Sequence, residues 1–128
     1  EVADRIISSS NTSNYGRLSI ISNWRLNVKK IIDVKPSSFK PKPKVESTLL
    51  LFTPKIKYFK LKNSGSIENV TRIFFNQKRK KIKKPLNKLF KNSDKIAKKL
   101  NLNLDLRPQN LDFQTYYMLA KELENLRS

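Results

Sequence analysis

The chain has 128 residues, 38% hydrophobic and 30% charged, with 28 Lys and Arg against ten Asp and Glu for a formal net charge of +18. That length holds one modest core or two small pieces of larger ones, and the charge asks for a polyanionic partner. With no Cys, no His and only two glycines, Gly16 and Gly65, the composition excludes a thiol nucleophile, the usual zinc sites, a Ser-His relay and a glycine-rich phosphate loop.

No apolar run reaches membrane-spanning length and the first residues are not a signal peptide, so a cytoplasmic protein with no membrane partner is expected. The chain begins at Glu1 without methionine, which predicts a fragment or a processed product.

Glu1–Ile7 reads as the end of a helix, followed by a polar loop from Ser8 to Asn14. A second helix is predicted from Ser13 or Asn14, either of which can cap it, to about Asn27. Val28–Val34 is β-branched and reads as a strand. Pro36, Pro41 and Pro43 then force an extended loop, and a second strand follows over Val45–Phe52, apolar on both faces near its end and stopped by Pro54. Two strands alone are not a stable sheet, so the remaining strands are expected upstream of Glu1. Lys55–Ser66 reads as a basic linker and domain boundary.

From Ile67 the pattern is helical. A basic helix is predicted from Ile67 to Lys84, broken by Pro85, with a short helix over Leu86–Phe90. Ser93 is expected to cap a helix ending by Leu100. Asp112 is expected to cap a last helix with a stripe of Tyr116, Leu119, Ala120, Leu123 and Leu126 or Arg127.

The charge is concentrated in the middle. Residues 29–91 hold nineteen basic side chains against Asp33, Glu46 and Glu68, whereas the flanks are close to neutral. Within Arg72–Lys91, nine residues are Lys or Arg and none is acidic, while Phe75, Ile82, Leu86, Leu89 and Phe90 keep the spacing of one helical face. A packed element with uncompensated cations fits nucleic acid better than a merely solvated face. Phe74 and Phe75 read as core.

Phe39-Lys-Pro-Lys-Pro-Lys-Val-Glu-Ser47 resembles a late motif of the ribosomal RNA adenine N6,N6-dimethyltransferases. Glu1-Val-Ala-Asp-Arg-Ile6, Tyr15-Gly-Arg-Leu-Ser19, Phe75-Asn-Gln-Lys-Arg-Lys80 and Arg107-Pro-Gln-Asn-Leu111 are similar to family segments in the same order, so the resemblance covers essentially the whole chain. It departs at Pro85, where relatives continue a helix, and at Lys35, where many carry proline.

The resemblance implies an α/β plus all-α organisation. Residues 1–54 would be the final strands and helices of a Rossmann-like S-adenosylmethionine-dependent methyltransferase domain, and 55–128 a small helical rRNA-binding domain. The whole enzyme would dimethylate two adjacent adenines near the 3′ end of small-subunit rRNA, acting as a monomer on a pre-30S particle. The family's glycine-rich cofactor loop and its Asn-(Leu/Ile)-Pro-Tyr catalytic motif are absent from this sequence. The resemblance would place both, and the S-adenosylmethionine site, before Glu1. This chain would then be a C-terminal portion, inactive alone, with no metal.

The resemblance puts Phe39 where an aromatic ring is proposed to stack on the flipped target adenine, with a hydrophobic plug under the loop as the other reading. Lys40, Lys42 and Lys44 would touch phosphate or face solvent, and Arg17 would orient local structure. Lys78, Arg79, Lys80, Lys83 and Lys84 are the leading RNA-contact candidates, through phosphates and A-form shape. Two other readings stand beside this one. One is a large-subunit rRNA methyltransferase, or a mitochondrial transcription factor, of the same fold. The other is a stand-alone basic RNA-binding protein.

Overall fold

The computed structural model describes residues 2–34 and 47–127. Phe39, Lys40, Lys42 and Lys44 lie outside the described residues. Helices α1 (Val2–Ile7) and α2 (Arg17–Arg25) precede an antiparallel strand pair, β1 (Leu26–Val34) and β2 (Ser47–Pro54). Four helices follow: α3 (Gly65–Phe75), α4 (Lys83–Leu89), α5 (Ser93–Leu100) and α6 (Phe113–Arg127), with a 3-10 turn at Pro108–Asn110 before the last. Among the described residues no helix is long and apolar enough to cross a membrane.

The start of α2 differs from expectation. Neither Ser13 nor Asn14 caps it; Gly16 does, in extended backbone, and Ser19 closes the turn by accepting from the Gly16 N–H at 3.1 Å and donating to its carbonyl at 2.8 Å. The helix ends at Arg25 and the chain turns directly into β1, two residues before the predicted strand start. The strands pair from Leu26 opposite Pro54 to Val34 opposite Ser47, with an irregularity between Lys30 and Ile32. Pro54 is the last strand residue, a position that asks no ladder hydrogen bond of it.

The long basic helix is absent. α3 ends at Phe75, residues 76–82 are turns, and α4 starts at Lys83. The reason lies in Pro85. A helix running through it would clash its ring with the Lys81 carbonyl and lose an N–H bond, costing about 3 kcal/mol. Starting α4 at Lys83 makes Pro85 its third residue, where no intrahelical partner is needed; Leu86 makes the first such bond, to the Ile82 carbonyl at 2.9 Å. Pro85 therefore belongs to a helix start, and the break sits nine residues earlier, at Asn76. Like charges would also stack at Arg79/Lys83 and Lys80/Lys84 in a continuous helix.

Ser93 opens α5 but does not cap it; Asn92 holds that position, and the Ser93 hydroxyl donates to the Asn87 side chain. Asp112 does cap α6, accepting from the Thr115 N–H at 2.9 Å. The α6 stripe buries Tyr116, Leu119, Ala120 and Leu123, whereas Leu126 is exposed.

One core cluster runs from α2 to α6. It draws Tyr15, Ile20 and Trp24 from before the strands, and Ile67, Val70, Phe74, Ile82, Leu86, Phe90, Tyr116 and Leu119 from after them. Tyr117 seals it by donating its hydroxyl to the Ile20 carbonyl at 2.8 Å. The expected linker is tied into that core. The Trp24 indole N–H donates to the Phe59 carbonyl at 2.7 Å, Leu61 is buried, and Glu124 accepts from the Lys62 N–H through both oxygens at 3.0 Å and from the Ser66 hydroxyl at 2.8 Å. α3 also begins earlier than predicted, at Gly65.

Candidate nucleic-acid interface

The basic residues stand on a turn nailed down at its far end. Ile82 is fully buried, and its N–H donates to the Leu106 carbonyl at 2.8 Å. Burying that side chain contributes roughly 1.5–3 kcal/mol. Upstream, the Asn76 N–H reaches back to the Arg72 carbonyl at 3.1 Å, and the Lys80 N–H donates to the Gln77 carbonyl at 3.0 Å. Between these points Lys78, Arg79, Lys80 and Lys81 are exposed, as are Lys83 and Lys84 on the first turn of α4.

Arg79, Lys80, Lys83 and Lys84 line one open cleft, together with Lys81, Asn87 and Arg107. Lys78 does not join them. It lines a neighbouring cleft with Tyr15, Arg17 and Phe75, where α3 ends against the start of α2. Arg17 thus lines a cleft that also contains a candidate RNA-contact lysine.

Two cationic cleft residues, Lys81 and Arg107, fall outside the sequence-based candidates. Lys81 lies in the run itself and pairs at 3.3 Å with Asp105, both side chains being exposed. An exposed pair like this contributes at most about 1 kcal/mol and leaves the cleft strongly cationic. Arg107 comes from a distant segment that three contacts hold in place. Leu106 accepts from Ile82, the Arg107 N–H donates to the Asn110 side chain at 2.9 Å, and the buried Tyr116 hydroxyl donates to the Pro108 carbonyl. The one sequence signal for it was the Arg107-Pro-Gln-Asn-Leu111 segment, which carried no indication of which surface it would meet.

The arrangement can neutralise phosphates from several directions. Gly16 caps α2 and Gly65 opens α3, so neither forms a strand-to-helix phosphate turn. Among the described residues no group of three or more His, Cys, Asp or Glu could hold a metal ion.

The family model described as ribosomal RNA adenine dimethylase matches residues 1–125. The chain belongs to the ribosomal RNA adenine dimethylase family. A relative from Pelagibacter ubique named ribosomal RNA small subunit methyltransferase A is 60% identical over 127 residues, covering 99% of this chain and 48% of that protein. A relative of the same name from Ehrlichia canis is 36% identical over 125 residues, covering 96% of this chain and 47% of its own length. The crystal structure of a dimethyladenosine transferase from Plasmodium falciparum superposes with a TM-score of 0.79 at 29% identity, over 96% of this chain and 54% of that one.

The chain thus spans about half the length of the dimethylase relatives it matches. That likeness supports the methyltransferase fold expected from the motifs.

Proposed function

We propose that this chain is the RNA-gripping part of an S-adenosylmethionine-dependent enzyme that dimethylates the N6 of two adjacent adenines in small-subunit rRNA. The observation that carries the reading is the cationic cleft in which Arg79, Lys80, Lys83 and Lys84 meet Lys81 and Arg107 around the buried Ile82. Membership of the dimethylase family and the names of its relatives support the substrate class. S-adenosylmethionine would supply the methyl group and would be held by residues outside this chain, which would transfer no methyl group alone. The protein would act as a monomer on a pre-30S particle in the cytoplasm.

The cleft would read shape. Lysines and arginines spread over a turn and a helix start meet phosphates along an A-form groove, fixing the orientation of the RNA without selecting its sequence. Replacing Lys78, Arg79, Lys80, Lys83 and Lys84 with Gln should lower the slope of log affinity against log salt by roughly 3.5–4.5, at 0.7–0.9 per phosphate contact. An unchanged slope on small-subunit rRNA would remove this surface from the reading. Mass spectrometry of rRNA nucleosides from cells lacking the gene tests the chemistry; loss of N6,N6-dimethyladenosine is the expected result.

A further inference from the structure

A second cationic surface lies on the segment that leaves β2. Ser47–Ile67 contains no Asp or Glu. Its middle, residues 55–60, crosses the C-terminal end of α2 and is fixed at both sides. The Lys55 N–H donates to the Arg25 carbonyl at 2.7 Å, the Lys55 ammonium donates to the Asn23 carbonyl, and the Phe59 carbonyl accepts from Trp24.

Between these fixed points the side chains turn outward. Ile56 is 97% exposed and sits between Lys55 and Lys57. Tyr58 is half-buried beneath two cations. The Arg25 guanidinium lies 4.6 Å from the ring centroid and donates to the hydroxyl at 3.2 Å, and the Lys60 ammonium lies 4.5 Å from the same centroid. Arg25 also lies 4.8 Å from the Trp24 ring. Among the described residues no carboxylate pairs with Arg25, Lys57 or Lys60.

The electrostatics are unusual for an inert surface. The ring quadrupole attracts each cation, and among the described residues no carboxylate neutralises either one. A phosphate would supply the negative charge that these cations lack. A lone exposed isoleucine is unremarkable. One held by a fixed backbone amid cations offers apolar contact beside charge, the alternation that an unpaired nucleic-acid strand presents in bases and phosphates.

We propose that Ile56, Lys57, Tyr58 and Lys60, with Arg25, form a second RNA-contact surface. Arg25, Lys57 and Lys60 neutralise phosphate, and Ile56 lies against the face of an unpaired base. This rests on the reading of the protein as RNA-binding and extends it to a site on the opposite end of α2 from Arg17, about 12 Å along the helix at 1.5 Å per residue.

The test compares two variants of the protein, Lys57→Gln/Lys60→Gln and Lys80→Gln/Lys83→Gln/Lys84→Gln, each titrated with oligouridylate and with small-subunit rRNA over a range of salt. The first should lower the salt slope on oligouridylate by about 1.4, two contacts at about 0.7 each on a single strand. If only the second variant changes the slope, the new surface falls and the proposed function stands. If neither does, both fall. In parallel, Ile56→p-benzoylphenylalanine places a photo-crosslinker at the exposed tip. An RNA adduct supports the surface; an adduct to protein, or none while RNA is bound, overturns it.

Discussion

The Ile82 N–H donates to the Leu106 carbonyl at 2.8 Å, joining the end of the basic turn to the segment that delivers Arg107. The two stretches are far apart in sequence, and this bond together with the burial of Ile82 makes them one surface. Electrostatic strength here depends on an apolar anchor.

Ile82→Ala should therefore act on both stability and binding. Removing three buried carbons should cost about 2–5 kcal/mol, depending on how far the site collapses. Urea denaturation gives the first quantity. RNA affinity measured at temperatures where the variant stays folded gives the second, and it should weaken although no charge was removed.

Pro85→Ala should change stability by less than about 1 kcal/mol, because Pro85 occupies the first turn of α4 and no intrahelical bond depends on its nitrogen. A loss of 3 kcal/mol or more in chemical denaturation would contradict that placement. Backbone chemical shifts should still show residues 76–82 outside helix.

Glu124 links α6 to the start of α3, and acid should loosen it. Burial acts to raise its carboxyl pKa, but hydrogen bonds from the Lys62 N–H, the Ser66 hydroxyl and the Asn63 N–H outweigh burial and hold it below the ordinary 4.5. A depressed folded-state pKa gives stability that is present above the unfolded value and lost as pH falls through the folded one. Wild type should lose stability below about pH 4.5, and Glu124→Gln should lack that component. At pH 7 the substitution should cost about 1.5–3 kcal/mol, the range for hydrogen bonds to a charged group. Urea midpoints from pH 7 to pH 3 check both statements.

Tyr15 offers a test with the opposite sign. Its ring packs 5.6 Å from Phe113 and 6.2 Å from Phe75, but its buried hydroxyl has no hydrogen-bond partner among the described residues. Burial, and secondarily Tyr117 and Asp112, push its pKa well above the ordinary value. Tyr15→Phe keeps the ring and removes an unsatisfied polar atom, so it should be neutral or stabilising by up to about 1–3 kcal/mol. A clear destabilisation in thermal melts would show that the hydroxyl has a partner after all. In the wild type this tyrosine should stay un-ionised in spectroscopic titration to pH 12.

Much of the fold was legible because local chemistry decides it. Asp112 capping α6, Pro54 ending β2, the β-branched run of β1 and the buried stripe from Tyr116 to Leu123 follow from short-range preferences that tertiary contacts did not override. The basic helix was misread for an instructive reason. Phe75, Ile82 and Leu86 fit one helical face by spacing, but two helices and a turn deliver them to the same core, and spacing alone does not separate these cases. Pro85 marked a break correctly in kind and wrongly in place, since proline is as suited to a helix's first turn as it is hostile to its interior.

The amino-acid sequence by itself determined the uncompensated positive charge, the absence of catalytic Cys or His, and the motifs that lead to the dimethylase family. Those are properties of composition and order, which survive without coordinates. Only the tertiary structure decided which cations share a cleft. It separates Lys78 from Arg79, brings Arg107 beside Lys83, and sets Arg25 and Lys60 on the Tyr58 ring. These relations depend on where the chain turns and on which distant carbonyl satisfies a buried N–H, and packing of the whole core fixes both.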